Sequence, residues 1–258
     1  MSVLKGEGKV PILFGSTSIS VGSLTHTAYL ARPDLSGEWP TIVVVPSAWG
    51  VTGAMKYLNR RIARQGFAAV CPDLYAGAAP DRSTPREASV RAALELSPAM
   101  VRRDLDHIVR FITNPTGFWS NAEDGFGVVG FGIGGLGAVD IVTDHPGSPL
   151  AIVGAPLAAQ SVPSVEEAEP APVHAGVAAS LAQLTGPLLG IYGREDDAVS
   201  IDEIMGARQL APHGEWVLYE GVGADFYDDD HPGFDLPGQV DTITRLTDFF
   251  EKHLSVGR

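Results

Sequence analysis

The chain reads as an α/β protein, with a mostly parallel central sheet flanked by helices on both faces, formed by one domain over residues 1–258. Three observations predict this. Strand-like and helix-like stretches alternate along the chain, which calls for βαβ crossovers and therefore parallel pairing. Two short runs, Thr41-Ile-Val-Val-Val45 and Gly127-Val-Val-Gly-Phe131, are almost continuously apolar, as strands are when both of their faces are covered. The second run enters a glycine-dense corner and a small-residue helix leaves it. With 258 residues, 45% of them hydrophobic, the chain can bury one sizeable core, and no repeat or linker divides it.

Taken in order, residues 24–31 have the mixed polarity of a strand open on one side, and residues 41–45 form a buried strand. A helix covers 53–65 and a strand 68–71. A long helical region spans 85–113 and is broken near Pro98, whose ring and missing N–H stop the preceding turn. The central strand at 127–131 is followed by a helix to 144; strands follow at 150–155, 188–192 and 216–219. Helices are expected at 174–184 and 201–210, and a last amphipathic one at 238–254. Residues 158–172, rich in Ala, Pro, Ser and Glu, read as a mobile loop over one end of the sheet.

Composition excludes several classes. A net charge of −13 disfavours nucleic acid and anionic membranes as partners. No window of 18 residues is free of charged, proline or strongly polar residues, and no basic-then-apolar leader is seen, so a cytoplasmic protein is expected. Cys71 is the only cysteine, which excludes an internal disulfide or a CxxC site, and its apolar strand context points to packing. The Asp228-Asp-Asp-His231 run is a solvated loop rather than a metal site, because adjacent residues rarely converge on one ion. Neither a metal nor a cofactor is expected; the expected partner is a small-molecule substrate, and the chain a monomer or homodimer.

The corner itself reads Gly130-Phe131-Gly132-Ile133-Gly134-Gly135. A strand–turn–helix of the form G-x-Ser/Cys-x-G places its middle residue on a strained turn as a nucleophile, with glycines where larger side chains would collide. Here the middle residue is Gly132, which has no atom that can attack a carbonyl. A glycine-rich connection of another α/β fold, such as a nucleotide-binding turn, is the competing reading of this stretch alone.

Five stretches in order add to it: Thr41-Ile-Val-Val-Val-Pro-Ser-Ala-Trp-Gly-Val51, Pro72-Asp-Leu-Tyr75, the corner, Gly193-Arg-Glu-Asp-Asp-Ala-Val199, and Tyr219-Glu-Gly-Val-Gly-Ala-Asp-Phe226. Together they resemble the dienelactone hydrolase family over nearly the whole chain. The resemblance implies an α/β-hydrolase fold without a large cap domain, a Cys (or Ser), Asp, His triad, and a first βα loop that helps form an oxyanion hole. It puts the triad acid at Asp196, but Ala224 at the histidine and Gly132 at the nucleophile. It also puts Ser47 where a glutamate is expected, and places the family's carboxylate-binding arginines near Gly77 and Asp228, so a carboxylate-bearing lactone loses its implied anchors.

The expected site is therefore a polar pocket with an altered centre. Backbone N–H groups of Ala48 and Ile133 would face the oxyanion position, with Ser47, Trp49, Tyr75, Gly132 and Ala224 around the substrate. Asp196, if partly buried without an imidazole, has its pKa raised by desolvation into a useful acid–base range; otherwise it bonds its own backbone. Asp225 is either a substitute acid–base or a solvated loop residue. His231, in the loop after the last strand, could replace the missing imidazole, and His174 is a second candidate. His26, His107, His145, His213 and His253 read as structural. Three functions follow: a non-hydrolytic acid–base enzyme (isomerisation, cyclisation, dehydration or C–C lysis) acting on a small or polycyclic metabolite; an ester or lactone hydrolase using a noncanonical site; or a ligand-binding pseudoenzyme.

Overall fold

The computed structural model describes residues 8–21, 24–115, 119–157 and 177–254. Its centre is an eight-stranded sheet in the order β1-β2-β4-β3-β5-β6-β7-β8. The strands are β1 (Ile12–Val21), β2 (Leu24–Pro33), β3 (Thr41–Val45), β4 (Ala68–Pro72), β5 (Gly127–Phe131), β6 (Leu150–Val153), β7 (Leu188–Glu195) and β8 (Glu215–Gly223). Only the pairings of β2 with β1 and with β4 are antiparallel; the other five are parallel. The helices are α1 (Gly53–Arg64), α2 (Arg86–Glu95), α3 (Pro98–Thr113), α4 (Gly134–Asp144), the single turn α5 (Ala178–Leu181), α6 (Ile201–Leu210) and α7 (Leu236–His253).

The apolar runs behave as a doubly covered sheet requires. Alternate residues of β3 point to opposite faces: Val43 and Val45 join Leu105 and Ile108 of α3 and Val139 of α4, while Ile42 and Val44 join Met55, Leu58 and Ile62 of α1 and Phe249 and Phe250 of α7. Two cores result, one on each side of the sheet. The long helical region does break where expected: Leu96 and Ser97 are extended, and Pro98 opens α3, where its missing N–H is harmless.

Some boundaries differ from the sequence reading. β1 was not anticipated. Its Gly, Ser and Thr content gives no burial pattern, Leu13 and Phe14 are exposed on it, and its shape comes from ten paired positions with β2. β6 ends at Val153 rather than residue 155, because Gly154 turns with φ 60°. β8 extends in both directions beyond 216–219, since pairing with β7 rather than burial defines it. The helix expected over 174–184 is described only as the turn α5, and the loop expected at 158–172 lies outside the described residues. No helix among the described residues is long and apolar enough to cross a membrane.

The corner is closely packed. A β-carbon on Gly130 would lie 2.6 Å from Gly135 Cα and 2.8 Å from Gly134 O, both backbone atoms that cannot rotate away. Gly130→Ala should therefore destabilise the fold by about 3 kcal/mol, as overpacking does. This corresponds to a fall in Tm of roughly 10 °C for a chain of this size. Thermal unfolding checks it; an unchanged Tm would contradict so tight a β5–α4 junction.

Candidate active site

The turn at residue 132 follows from its neighbours. β5 is buried at every position, and Gly132 then adopts φ 51°, donating its N–H to Val153 O (2.9 Å) and accepting from Gly135 N–H (3.0 Å). Ile133, already helical, is the N-cap of α4. This is a left-handed residue between a buried strand and a helix, where glycine fits without strain. The three atoms nearest to the place a β-carbon would take at 132 are Tyr227 Oη (3.3 Å), Asp225 Oδ1 (3.8 Å) and Ser47 Cβ (3.8 Å).

Asp225 is the centre of what faces the turn. It is 5% exposed and sits at φ 53°, a left-handed conformation that Asp tolerates better than most residues. Its Oδ1 accepts from Tyr227 Oη (2.9 Å), its Oδ2 from Arg86 Nε (2.7 Å), and His231 Nε2 lies 3.9 Å from Oδ2. Tyr227 is buried and packs its ring against Phe131, with ring centroids 4.9 Å apart. Burial, with the Asp225 charge beside it, holds the Tyr227 phenol far above its ordinary pKa. Beside this group, Arg82 Nη2 reaches Asp228 Oδ2 (2.9 Å), and the guanidinium stacks 4.7 Å from the Trp49 ring centroid.

Asp196 follows β7 and is buried, as expected, but its Oδ1 is committed to its own loop, accepting from Ala198 N–H (2.9 Å) and Val199 N–H (3.3 Å). Burial nonetheless raises its pKa above the usual carboxylate range, against the pull of those two N–H groups and of Arg86. A carboxyl whose folded pKa is raised supports folding most below its unfolded pKa, and that support is lost as pH rises through the folded value. Asp196→Asn keeps the acceptor and removes the charge. Its Tm relative to the wild type should therefore become more favourable between acid and neutral pH. Parallel Tm–pH curves for the two proteins would contradict the shift.

The remaining expected residues divide. Ser47 is buried, and its Oγ has no partner among the described residues. Ala48 and Trp49 form a small cluster with Val90 of α2, against which Ile133, Ala93 and Leu94 pack. Tyr75 donates its hydroxyl to Ala48 O (2.7 Å), so it braces the first loop. Ala224 is buried, but the side chain reaching the turn is that of the next residue, Asp225. His174 lies outside the described residues. His26 and His107 bond each other (2.7 Å) across β2 and α3.

Three side chains were missed. The guanidinium groups beside the site come from Arg82 and Arg86, not from positions near Gly77 and Asp228; Asp228 is instead the acid that Arg82 pairs with. Their spacing of four residues, with Arg86 opening α2, was the available signal. Tyr227 was the third, two residues beyond Asp225. Between α2, α3 and α4 lies a cavity of about 80 Å³ whose wall is largely apolar, with Leu74, Leu94, Leu96 and Leu136, but also includes Ser47, Tyr75 and Asp140.

Among the described residues, two groups bring three ligand-type atoms within 4.8 Å: His26, Asp104 and His107, and Asp228, Asp229 and Asp230. Neither includes an atom nearest to Gly132, and both already have protein partners in Arg103 and Arg82.

The fold agrees with known proteins. A family model described as the dienelactone hydrolase family matches residues 26–254. A Yersinia pestis protein named as a carboxymethylenebutenolidase is 27% identical over 251 residues, covering 93% of this chain and 88% of its own. The carboxymethylenebutenolidase of Rhodococcus opacus is 26% identical, covering 89% and 87%. A Klebsiella pneumoniae structure titled as a dienelactone hydrolase superposes with a TM-score of 0.77 at 25% identity, covering 93% of this chain and 98% of its own. With its α/β-hydrolase sheet order and this match over most of its length, the chain belongs to the dienelactone hydrolase family.

Proposed function

We propose that this protein is an enzyme with a degenerate triad that carries out acid–base chemistry, without a covalent intermediate, on a small carbonyl metabolite. The observation that carries the reading is the carboxylate of Asp225, 3.8 Å from where a nucleophile's β-carbon would stand at Gly132. A carboxylate offers about four lone-pair sites, so Asp225 can hold Arg86 and Tyr227 and still meet a substrate.

In this reading the N–H groups of Ala48 and Ile133 bind the carbonyl oxygen and stabilise the enolate. Asp225 removes a proton from the carbon next to the carbonyl, and the electron pair moves onto the oxygen. Returning that proton at another carbon is isomerisation; expelling a β-hydroxyl as water is dehydration; attack of the enolate on a second carbonyl of the same molecule is cyclisation. Cleavage of the neighbouring C–C bond is the same step in reverse. Arg86 and Tyr227 hold the carboxylate in place, and Asp196 sets the charge beside Arg86. The test is deuterium incorporation next to the carbonyl of a panel of simple ketones in D2O. Catalysed exchange is expected, and its absence across the panel would leave the ligand-binding reading.

A second reading is hydrolysis. Two observations favour it: the unpartnered Ser47 Oγ, and His231 within 3.9 Å of Asp225. The names of the relatives point the same way. Cleavage of 4-nitrophenyl esters or simple lactones above background, lost in Ser47→Ala or His231→Ala, would establish it.

A further inference from the structure

Two imidazoles and a carboxylate meet where the edge hairpin of the sheet passes under α3. We propose that His26, Asp104 and His107 form a binding site for a divalent d-block metal ion, Zn²⁺ by its donor set, that clamps α3 onto β2. The placement follows from the two elements. Alternation along β2 puts His26 on the same face as Ala28, which joins Leu105 and Ile108 of α3 in one core. Asp104 and His107 are three residues apart on α3, so they are neighbours on one side of the helix. His26 Nε2 is 2.7 Å from His107 Nδ1, and His26 Nδ1 is 3.7 Å from Asp104 Oδ1. His107 is buried and the other two side chains are part-buried, so the donors are sheltered from water while an ion can still enter.

The donors select the ion. Imidazole nitrogens suit zinc and its neighbours, whereas magnesium and calcium take oxygen. Three protein ligands leave a tetrahedral ion one position for water. With bonds of about 2.0–2.2 Å, neighbouring ligand atoms of such an ion stand roughly 3.3–3.6 Å apart. The spacings of 2.7 and 3.7 Å bracket this, and the three ligand-type atoms already lie within 4.8 Å of one another. Little has to be given up. The ion replaces one hydrogen bond between the imidazoles, whose net worth is small. Asp104 must also part from Arg103, its exposed neighbour in sequence, and exposed ion pairs contribute little. The other acidic group, Asp228 to Asp230, offers no nitrogen, and two of its members are exposed. The effect of an ion at His26 is mechanical. It joins residues 81 apart in sequence, fixing the hairpin that gives β1 its shape to the helix whose Val101, three residues before Asp104, lines the cavity beside Ser47.

The test uses the untagged full-length chain, stripped with a chelator. Zn²⁺ binding is measured by titration calorimetry, with Co²⁺ as a spectroscopic probe, in the wild type, His26→Gln, His107→Gln, Asp104→Asn and a control at an exposed histidine, His213→Gln, each first shown to unfold cooperatively. The wild type should take up one ion per chain, show the visible bands of four-coordinate Co²⁺, and gain roughly 5–10 °C in Tm at a hundredfold excess of Zn²⁺ over Kd. Loss of even a supporting partner of a metal ligand costs about 10–100-fold in affinity, so His26→Gln and His107→Gln should each weaken binding by roughly 100-fold or more and Asp104→Asn by at least tenfold. His213→Gln should bind as the wild type does, and a large excess of Mg²⁺ should not displace the ion. If the buried His107 does not tolerate replacement, the two part-buried positions decide the result. No saturable Zn²⁺ binding, or an affinity unchanged in both His26→Gln and Asp104→Asn, would overturn the site.

Discussion

Asp225→Asn should reduce deuterium exchange into a bound ketone by roughly 10²–10⁴-fold, the usual contribution of a positioned general base. The amide is nearly isosteric with the carboxylate and can still accept from Tyr227, so the shape of the site is kept while its basicity is removed. Stability should change far less. The amide cannot accept from Arg86 with its nitrogen, and loss of one charge-assisted hydrogen bond costs about 2 kcal/mol, or roughly 4–8 °C in Tm. Tyr227→Phe separates support from chemistry: the ring still packs against Phe131, and only the hydroxyl that bonds Asp225 is lost. A small loss there beside a large loss in Asp225→Asn supports the assignment. Equal exchange rates in the wild type and Asp225→Asn would remove Asp225 from the reaction.

The second large effect is a gain. Gly132→Cys should turn the site into one that forms a covalent acyl-enzyme, releasing a stoichiometric burst of 4-nitrophenolate from 4-nitrophenyl acetate, where the wild type releases none. Space permits it, since the nearest atom to the new β-carbon is Tyr227 Oη at 3.3 Å, which must give slightly. The left-handed backbone at φ 51° adds a strain of about 1–2 kcal/mol for a residue with a β-carbon. The native thiol is a built-in control: Cys71 is buried and its pKa is pushed far up by desolvation, so it does not compete. Asp225 beside the new thiol disfavours the thiolate, so the burst should quicken with rising pH, and adding Asp225→Asn should quicken it at neutral pH. A cysteine at 132 that resists acylation in both backgrounds would show that the turn does not face the cavity mouth.

The fold was legible wherever a local pattern and the tertiary environment ask for the same thing. β3 and β5 are apolar because both faces are covered, and Pro98 ends one helix and begins another by its covalent structure alone. β1 and the ends of β8 were not legible, because pairing defines them and their side chains are largely exposed. In the site, glycine spacing marked the turn at 132, and the family pattern marked 196, 224 and 225. The contacts among Asp225, Tyr227 and Arg86 could not be read in advance. Arg86 is 139 residues from Asp225 in sequence, and no periodicity says which loop a guanidinium at the start of α2 will meet. Asp196 shows the converse, since its burial was foreseen while its bonds to Ala198 and Val199 depend on the turn after β7.

In the proposed reaction, chemistry at Gly132 proceeds without a covalent bond to the protein. Its most direct test is treatment of the wild-type chain with a fluorophosphonate, an acylating-site probe, followed by intact-mass and peptide mapping. The prediction is an unmodified protein under conditions that fully label an active serine hydrolase. A stoichiometric adduct on Ser47, lost in His231→Ala, would contradict it and make the protein a hydrolase with a relocated nucleophile.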